Sequence, residues 1–327
     1  MGLKAYIAKR TVYSFLLVLF VITLNFIIFE LMPGNPMELF MNPSRLKSQE
    51  QVDELMKIWG LDQPLHIRYF KYVINLLTFN FGISYISMDY VSKEIGERLL
   101  NTLLLVGTST VLSIIIGIVL GVIAAAKRGT NADNFFVVTS LTTYSLPSFW
   151  IGMVLLIIFA HGLGWFPIKG TTSYTAMNPP PNIIADITDR MWHLCLPVVT
   201  LTLFSYGGWL LLTRAVMLEA LTEDYIVTAR AKGLAERTVL YRHALKNASL
   251  PIITSAAISF GFLLTGAIIT EQVFNYPGLG MWIWKAINFS DYPVLQAIFY
   301  IVALCVIIAN FIADLLYGVI DPRIKYE

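Results

Sequence analysis

The sequence predicts an all-α integral membrane protein with six transmembrane helices and a small external helical lobe after the first. Three observations carry that prediction. The chain is too apolar for a soluble surface, with 57% hydrophobic residues, a mean hydropathy of +0.68 and only 13% charged residues, about half of the roughly 25% usual in globular proteins. The charge is also confined. Six windows, 11–29, 99–126, 134–168, 191–213, 247–270 and 292–313, contain no Asp, Glu, Lys or Arg, and all 23 basic and 21 acidic residues lie outside them. Each reaches about 19 residues, enough at 1.5 Å per residue to cross a hydrocarbon core of about 30 Å. The third observation is the placement of basic residues, which decides which side each loop faces.

The first window follows Lys4, Lys9 and Arg10. Its apolar run is too long for the core of a secretory signal, and Leu31-Met-Pro-Gly-Asn-Pro36 is not a small-x-small cleavage site, so a retained anchor is expected. With the N-terminus inside, the inner segments carry thirteen Lys and Arg. These are the first three, Lys127 and Arg128, six from Arg214 to Lys246, and Arg323 and Lys325. The two short outer loops carry three, Lys169, Arg190 and Lys285. Both termini are therefore expected in the cytoplasm. The long outer segment 32–98 is largely exempt from the rule.

That segment has its own folding logic. Ser48-Gln-Glu50 opens a helical pattern through Val52, Leu55, Met56 and Trp59, which Gly60 ends. A second run after Pro64 places Ile67, Phe70, Val73, Ile74 and Leu77 on one face, so a small external lobe is expected rather than a linker. The 35-residue window 134–168 is expected to include a flanking turn at Gly162-Leu-Gly164 and Pro167. Pro179-Pro-Pro181 predicts an extended stretch. In the second span Gly117-x-x-x-Gly121, with Ser113 on the same stripe, fits close helix packing. The expected domain bounds are 1–31, an inner N-terminus and first span; 32–98, the external lobe; 99–318, the five-helix transmembrane domain; and 319–327, an inner tail.

The inner loop 217–247 is longer than a connection between spans requires. Thr222-Glu-Asp224 can cap a helix N-terminus and charge it favourably. The helix continues over Tyr225–Lys232, so that 223–232 is a short capped helix, and Gly233 stops it. A second helix over 235–247 is basic, with Arg237, Arg242, His243 and Lys246. Tyr225, Ala229 and Lys232 recur at helical spacing and are expected to share a face presented to a partner.

Other functions find little purchase. Cys195 and Cys305 both lie inside apolar windows, which argues against a disulfide framework. His66, His161, His193 and His243 have no partners at metal-site spacing, so no metal site is expected. A net charge of +2 gives no reason to expect nucleic acid as a partner. No Gly-x-x-x-x-Gly-Lys-[Ser/Thr] phosphate loop occurs, so ATP chemistry is not expected of this chain. Polar residues in or beside the spans are Asn25, Glu30, Asn101, Arg214, Glu271, Asn310 and Asp314. They do not form the acidic relay of an ion-coupled carrier, and no paired catalytic groups share one depth. Tyr276-Pro-Gly-Leu-Gly280 can form an external gate, and Trp282 and Trp284 an interfacial aromatic belt.

The run Asp224-Tyr-Ile-Val-Thr-Ala-Arg-Ala-Lys-Gly-Leu234, followed by Arg242-His-Ala-Leu-Lys-Asn-Ala-Ser-Leu-Pro251, resembles the coupling loop of ABC importer permeases, in particular the dipeptide/oligopeptide branch. Other pieces agree in order: Pro33-Gly-Asn-Pro36, Asn101-Thr102-Leu103, Glu271-Gln-Val-Phe274, Pro277-Gly-Leu-Gly280, Asp291-Tyr-Pro293 and Asp321-Pro-Arg323. The resemblance covers essentially the whole chain. It departs where the general motif begins Glu-Ala-Ala and this chain has Val227-Thr228-Ala229, and at Asn35, where many relatives have Asp. It implies a type I ABC importer permease fold and half of a heterodimeric pore in the cell membrane. It also implies a second homologous permease, two ATPase subunits that hold the ATP and Mg, and an external solute-binding protein. The residues it implies for ATPase contact are Asp224, Tyr225, Thr228, Ala229, Arg230, Lys232 and Gly233. Those for a gate or pathway are Asn101, Glu271, Pro277, Gly278 and Gly280. Peptides are the expected cargo, with oligosaccharides or a nickel complex as alternatives within the same branch.

Overall fold

The computed structural model describes residues 3–31, 63–261 and 267–320. In chain order the elements are α1 (Leu3–Leu31), α2 (Leu65–Leu77), α3 (Val91–Ala126), α4 (Asn131–Ser145), α5 (Ser148–Leu155, continued by a π-helical stretch Leu156–Gly162), α6 (Ile183–Ala220), α7 (Asp224–Ala231), α8 (Glu236–Thr238, continued by π-helical Val239–Ala244), α9 (Leu245–Gly261), α10 (Ile268–Val273), α11 (Leu279–Asn288) and α12 (Tyr292–Ile320). Among the described residues β structure is limited to two isolated bridges, Ile83–Tyr90 and Thr175–Asn178.

Four described helices are long and apolar enough to cross a membrane: Tyr6–Leu31, Val91–Ala126, Ile183–Ala220 and Tyr292–Phe311. They match the first, second, fourth and sixth apolar windows. The third window is built differently from its expectation. Its break falls at Leu146-Pro147, where α4 and α5 meet at 99°. The cause is local, because proline pushes the residue before it out of the helical region, and Leu146 sits at φ −81°, ψ 137°. A turn does follow at Gly164, with φ +64°. Counting the bent pair as one span brings the number to five. The fifth window is α9 as far as Gly261 and then leaves the described residues. The helix expected over 48–60 and the motifs at 33–36 and 321–323 also lie outside them.

The chain packs as two compact units, residues 1–100 with 278–327, and residues 101–277. In the first, α1 lies against α12. Asn25 Nδ2 donates to the Gln296 carbonyl at 3.0 Å, and the Phe29 ring meets Tyr292 and Phe299. Helix α2 lies along α1. Arg68 pairs with Glu30 at 2.8 Å, the Thr23 and Tyr69 hydroxyls are 2.8 Å apart, and the Phe26 ring meets those of Tyr69 and Tyr72. The predicted apolar face of α2 is not its packed side: Phe70 is 65% exposed and Ile74 60%, whereas Leu76 is buried.

In the second unit α6 is the central element, packed by α4, α5, α9 and α10. A Cβ on Gly117 would collide with Trp209 Cβ, and one on Gly121 would lie 2.6 Å from Thr213 Cβ. The two glycines therefore set the close approach of α3 and α6, as the spacing predicts. Asp133 at the start of α4 is buried and receives Arg214 of α6 bidentately, Nε at 2.7 Å and Nη2 at 2.8 Å.

Candidate functional site

The loop 217–247 is compact. Helix α6 ends at Ala220, and the Thr222 hydroxyl donates to the Glu219 carbonyl at 2.7 Å rather than capping the next helix. The expected side-chain cap is thus absent. The N-cap position of α7 is Glu223, which makes no side-chain cap bond, while Asp224 places a negative charge in the first turn. The stop is as predicted. Gly233 has φ +73°, a region that costs an L-residue roughly 1–2 kcal/mol. Its N–H donates to the Arg230 carbonyl at 2.9 Å, and that of Leu234 to the Ala229 carbonyl at 3.4 Å, the paired bonds of a Schellman motif.

Ile226 and Ala229 are buried in an apolar cluster with Met217, Val239, Ala244 and Ala248. This packing holds α7 against α6 and the π-helical stretch after α8. Across the Gly233 turn, Arg230 grips Glu236 at 2.7 and 3.2 Å. That contact holds the Glu236 carboxyl below its ordinary range and raises the Arg230 guanidinium. The basic segment is not a separate helix, as 235–247 predicts. It runs through the π-helical turns directly into α9. Arg237, Thr238, Tyr241 and Arg242 line a shallow cationic depression on it.

These placements correct part of the expected contact surface. Ala229 is 5% exposed and Tyr225 is half-buried, its hydroxyl lacking a hydrogen-bond partner among the described residues. Tyr225, Ala229 and Lys232 are therefore not one presented face. The outward ridge is Asp224, Val227, Thr228, Ala231 and Lys232, with Val227 60% exposed. Arg230 is exposed and already paired within the chain. The misreading has a plain cause: spacing finds the two faces of an amphipathic helix without saying which one the chain covers.

The second predicted set separates. Asn101 Nδ2 donates to the Pro277 carbonyl at 2.9 Å, and beside it the Thr102 hydroxyl donates to Glu271 Oε1 at 2.7 Å. Glu271 is fully buried and held inside the second unit. Tyr276 is buried close by, and desolvation, with the Glu271 charge, pushes its hydroxyl up to about 12. Gly278 has an extended backbone and precedes α11, while Gly280 lies buried within that helix. Of the two tryptophans, only Trp284 is exposed; Trp282 is buried beneath the Arg98 guanidinium at 4.5 Å, where an aromatic belt predicts surface.

Sequence reasoning missed the Asp133–Arg214 pair, because the partners lie 81 residues apart and only Arg214 stood out, as a charge at a span end. It also missed Asp189, which accepts from the Thr172 hydroxyl at 2.6 Å and the Ser173 N–H at 2.7 Å and so ties the loop after α5 to α6. Among the described residues no three His, Cys, Asp or Glu side chains gather as a metal site.

Residues 117–326 match the family described as binding-protein-dependent transport system inner membrane component, and residues 3–106 match its N-terminal counterpart. The chain belongs to this family. Among the relatives of this permease is the oligopeptide transport system permease protein AppB of Bacillus subtilis, 38% identical over 99% of this chain and 100% of that protein. The di/tripeptide transport system permease protein DppB of Pseudomonas aeruginosa is 38% identical over 93% and 94%. The glutathione transport system permease protein GsiC of Escherichia coli K12 is 36% identical over 98% and 99%. The permease is thus an inner membrane component of a transport system. Its family is one of transport components rather than of enzymes, and carries no cofactor of its own.

Proposed function

We propose that this permease imports di- or oligopeptides, as half of a pore completed by a second homologous permease. Two ATPase subunits, which hold the ATP and Mg, drive the cycle, and an external binding protein delivers the cargo. Six spans place both termini in the cytoplasm, with 32–98 following the first span on the outer side, 99–318 as the transmembrane domain, and 319–327 as the inner tail. The observation that carries the cargo is the near-full-length similarity to permeases named for oligopeptides, di/tripeptides and glutathione.

The ATPase contact is the ridge of α7: Asp224, Val227, Thr228, Ala231 and Lys232. Its support is mechanical. A short helix packed by Ile226 and Ala229 and closed by Gly233 and the Arg230–Glu236 pair can pass on a push without folding away. Asn101, Pro277, Gly278 and Gly280 then support the outer ends of the spans rather than line the pathway.

The test is uptake of a radiolabelled tripeptide into vesicles carrying the whole transporter. Gly233→Val is expected to abolish uptake and binding-protein-stimulated ATPase activity at unchanged membrane abundance, and Gly233→Asn to keep both, because Asn tolerates φ > 0. Nothing lies within 4 Å of a Cβ at Gly233, so backbone angle alone separates the two. Equal transport by the two variants removes the coupling role. Competition by an oligosaccharide or a nickel chelate, and none by peptides, removes the peptide reading.

A further inference from the structure

We propose that the break at Leu146-Pro147 opens onto the water-filled pathway midway through the membrane, where its free backbone groups hydrogen-bond the main chain of the passing peptide. The proposal rests on the peptide-importer reading and on α6 as a span.

Depth follows from an antiparallel register within the second unit. Helices α4 and α6 meet first at the Asp133–Arg214 pair. They meet again at Ser140, whose carbonyl would lie 2.5 Å from a Cβ on Gly207. The third meeting is at Tyr144, whose ring stacks on Phe204 with centroids 6.2 Å apart. Beyond the break, a Cβ on Gly152 would lie 3.4 Å from Thr200 Cγ2, and Ala160 clusters with Leu196 and Val198. The Phe166 ring then stacks on Trp192 at 4.8 Å. The bent pair therefore follows α6 from one end of its charge-free window, 191–213, to the other. It crosses once instead of turning back. The break falls between the levels of Phe204 and Thr200, at the central residue of that window, Thr202. Either end of the window is then about 16 Å away at 1.5 Å per residue, half of a hydrocarbon core of about 30 Å.

At that depth the backbone is open. Leu146 and Pro147 both have ψ 137°, so no helical bond spans them, and proline has no N–H to give the Thr143 carbonyl. Among the described residues nothing donates to the carbonyls of Thr143, Tyr144 and Ser145. The Ser148 and Phe149 N–H groups, at the start of α5, have no acceptor there either, and no side chain caps that helix. The Thr142 and Ser145 hydroxyls donate back to Val138 and Leu141. Thr142, Tyr144, Ser145, Pro147, Phe149 and Trp150 are all exposed.

Irregular backbone at membrane depth is tolerated only where it lines water or is covered by protein, which removes lipid as the occupant. A neighbouring helix spends its own N–H and C=O groups on its own ladder and has few donors to spare. Water supplies both donors and acceptors. The cargo chemistry follows from the presence of both kinds of group at one point. A cation drawn to the carbonyls that end α4 is repelled by the N–H groups that open α5, and an anion meets the reverse. A peptide main chain carries one N–H and one C=O per residue and meets both, whatever its side chains.

The test uses the assembled transporter in lipid nanodiscs, in a background of Cys195→Ser and Cys305→Ser. Ser145→Cys and Ser148→Cys should react with a charged, water-soluble methanethiosulfonate, and Ser140→Cys, buried against Gly207, should not. Reaction of the first two only with membrane-permeant N-ethylmaleimide, or with neither reagent, means that lipid or protein covers the break and overturns the proposal. A tripeptide carrying a diazirine side chain, delivered by the binding protein and trapped with vanadate, should crosslink within residues 142–150 on illumination. Excess tri-alanine should abolish those crosslinks. Crosslinks confined to other segments, in a transporter that takes up tri-alanine, overturn this site and leave the peptide reading standing. Absence of tri-alanine uptake overturns the peptide reading, and the site with it.

Discussion

Asp133 and Arg214 show at single-residue scale what composition cannot. A carboxylate at the start of α4 is buried and accepts two hydrogen bonds from a guanidinium near the end of α6. The Gly129 N–H also donates to it, at 3.0 Å. Removing one partner of such a pair leaves the other charge uncompensated, at a cost of about 3–5 kcal/mol for a fully buried site. Arg214 is partly exposed, so the lower end applies. Asp133→Ala is expected to lower the melting temperature of the purified complex markedly, and Asp133→Leu with Arg214→Met to recover most of it. Equal loss in the single and double variants would show that the carboxylate acts through something other than this pair.

At the scale of the element, α7 depends on its closing turn. The Glu236 carboxyl beside Arg230 has a lowered pKa, so the pair contributes fully above the ordinary carboxylate pKa and is lost as pH falls through Glu236's own lower value. The partners are 47% and 57% exposed, and solvent screening keeps the contribution below about 1 kcal/mol. Hydrogen-exchange protection of the Gly233 and Leu234 amides is therefore expected to hold from pH 8 to 5. Below about pH 4 it should fall by no more than roughly fivefold. Glu236→Gln should show the reduced value already at pH 7, without the step. A step of the same size in that variant would assign it to another group.

The length of α7 and its stop at Gly233 were legible, because a positive φ needs glycine locally and the apolar periodicity is local too. The buried face was not, since Ile226 and Ala229 find partners in α6 and beyond Val239. The break in the third window was legible in principle at Ser145-Leu-Pro147, but apolar content on both sides masked it.

For the whole molecule, the confinement of charge predicts where membrane contact lies and the basic residues predict which way it faces. In a background without Cys195 and Cys305, Thr172→Cys should react with an impermeant thiol reagent applied from outside. Thr130→Cys and Thr238→Cys should react only after the membrane is opened. The reverse pattern would invert the orientation without touching the helices themselves.

The sequence by itself determined the positions of four apolar helices, the helix stop at Gly233 and the glycine approach of α3 to α6. Each depends on a property of neighbouring residues: transfer free energy summed over a window, a backbone angle, or the missing Cβ on one stripe. Only the tertiary structure decided that Ala229 is covered, that Glu271 is bonded to Thr102, that Asp133 and Arg214 meet, and that α2 packs along α1. Those outcomes depend on which elements arrive beside a residue from far along the chain, and an amphipathic pattern reads the same whether its apolar side meets protein or lipid.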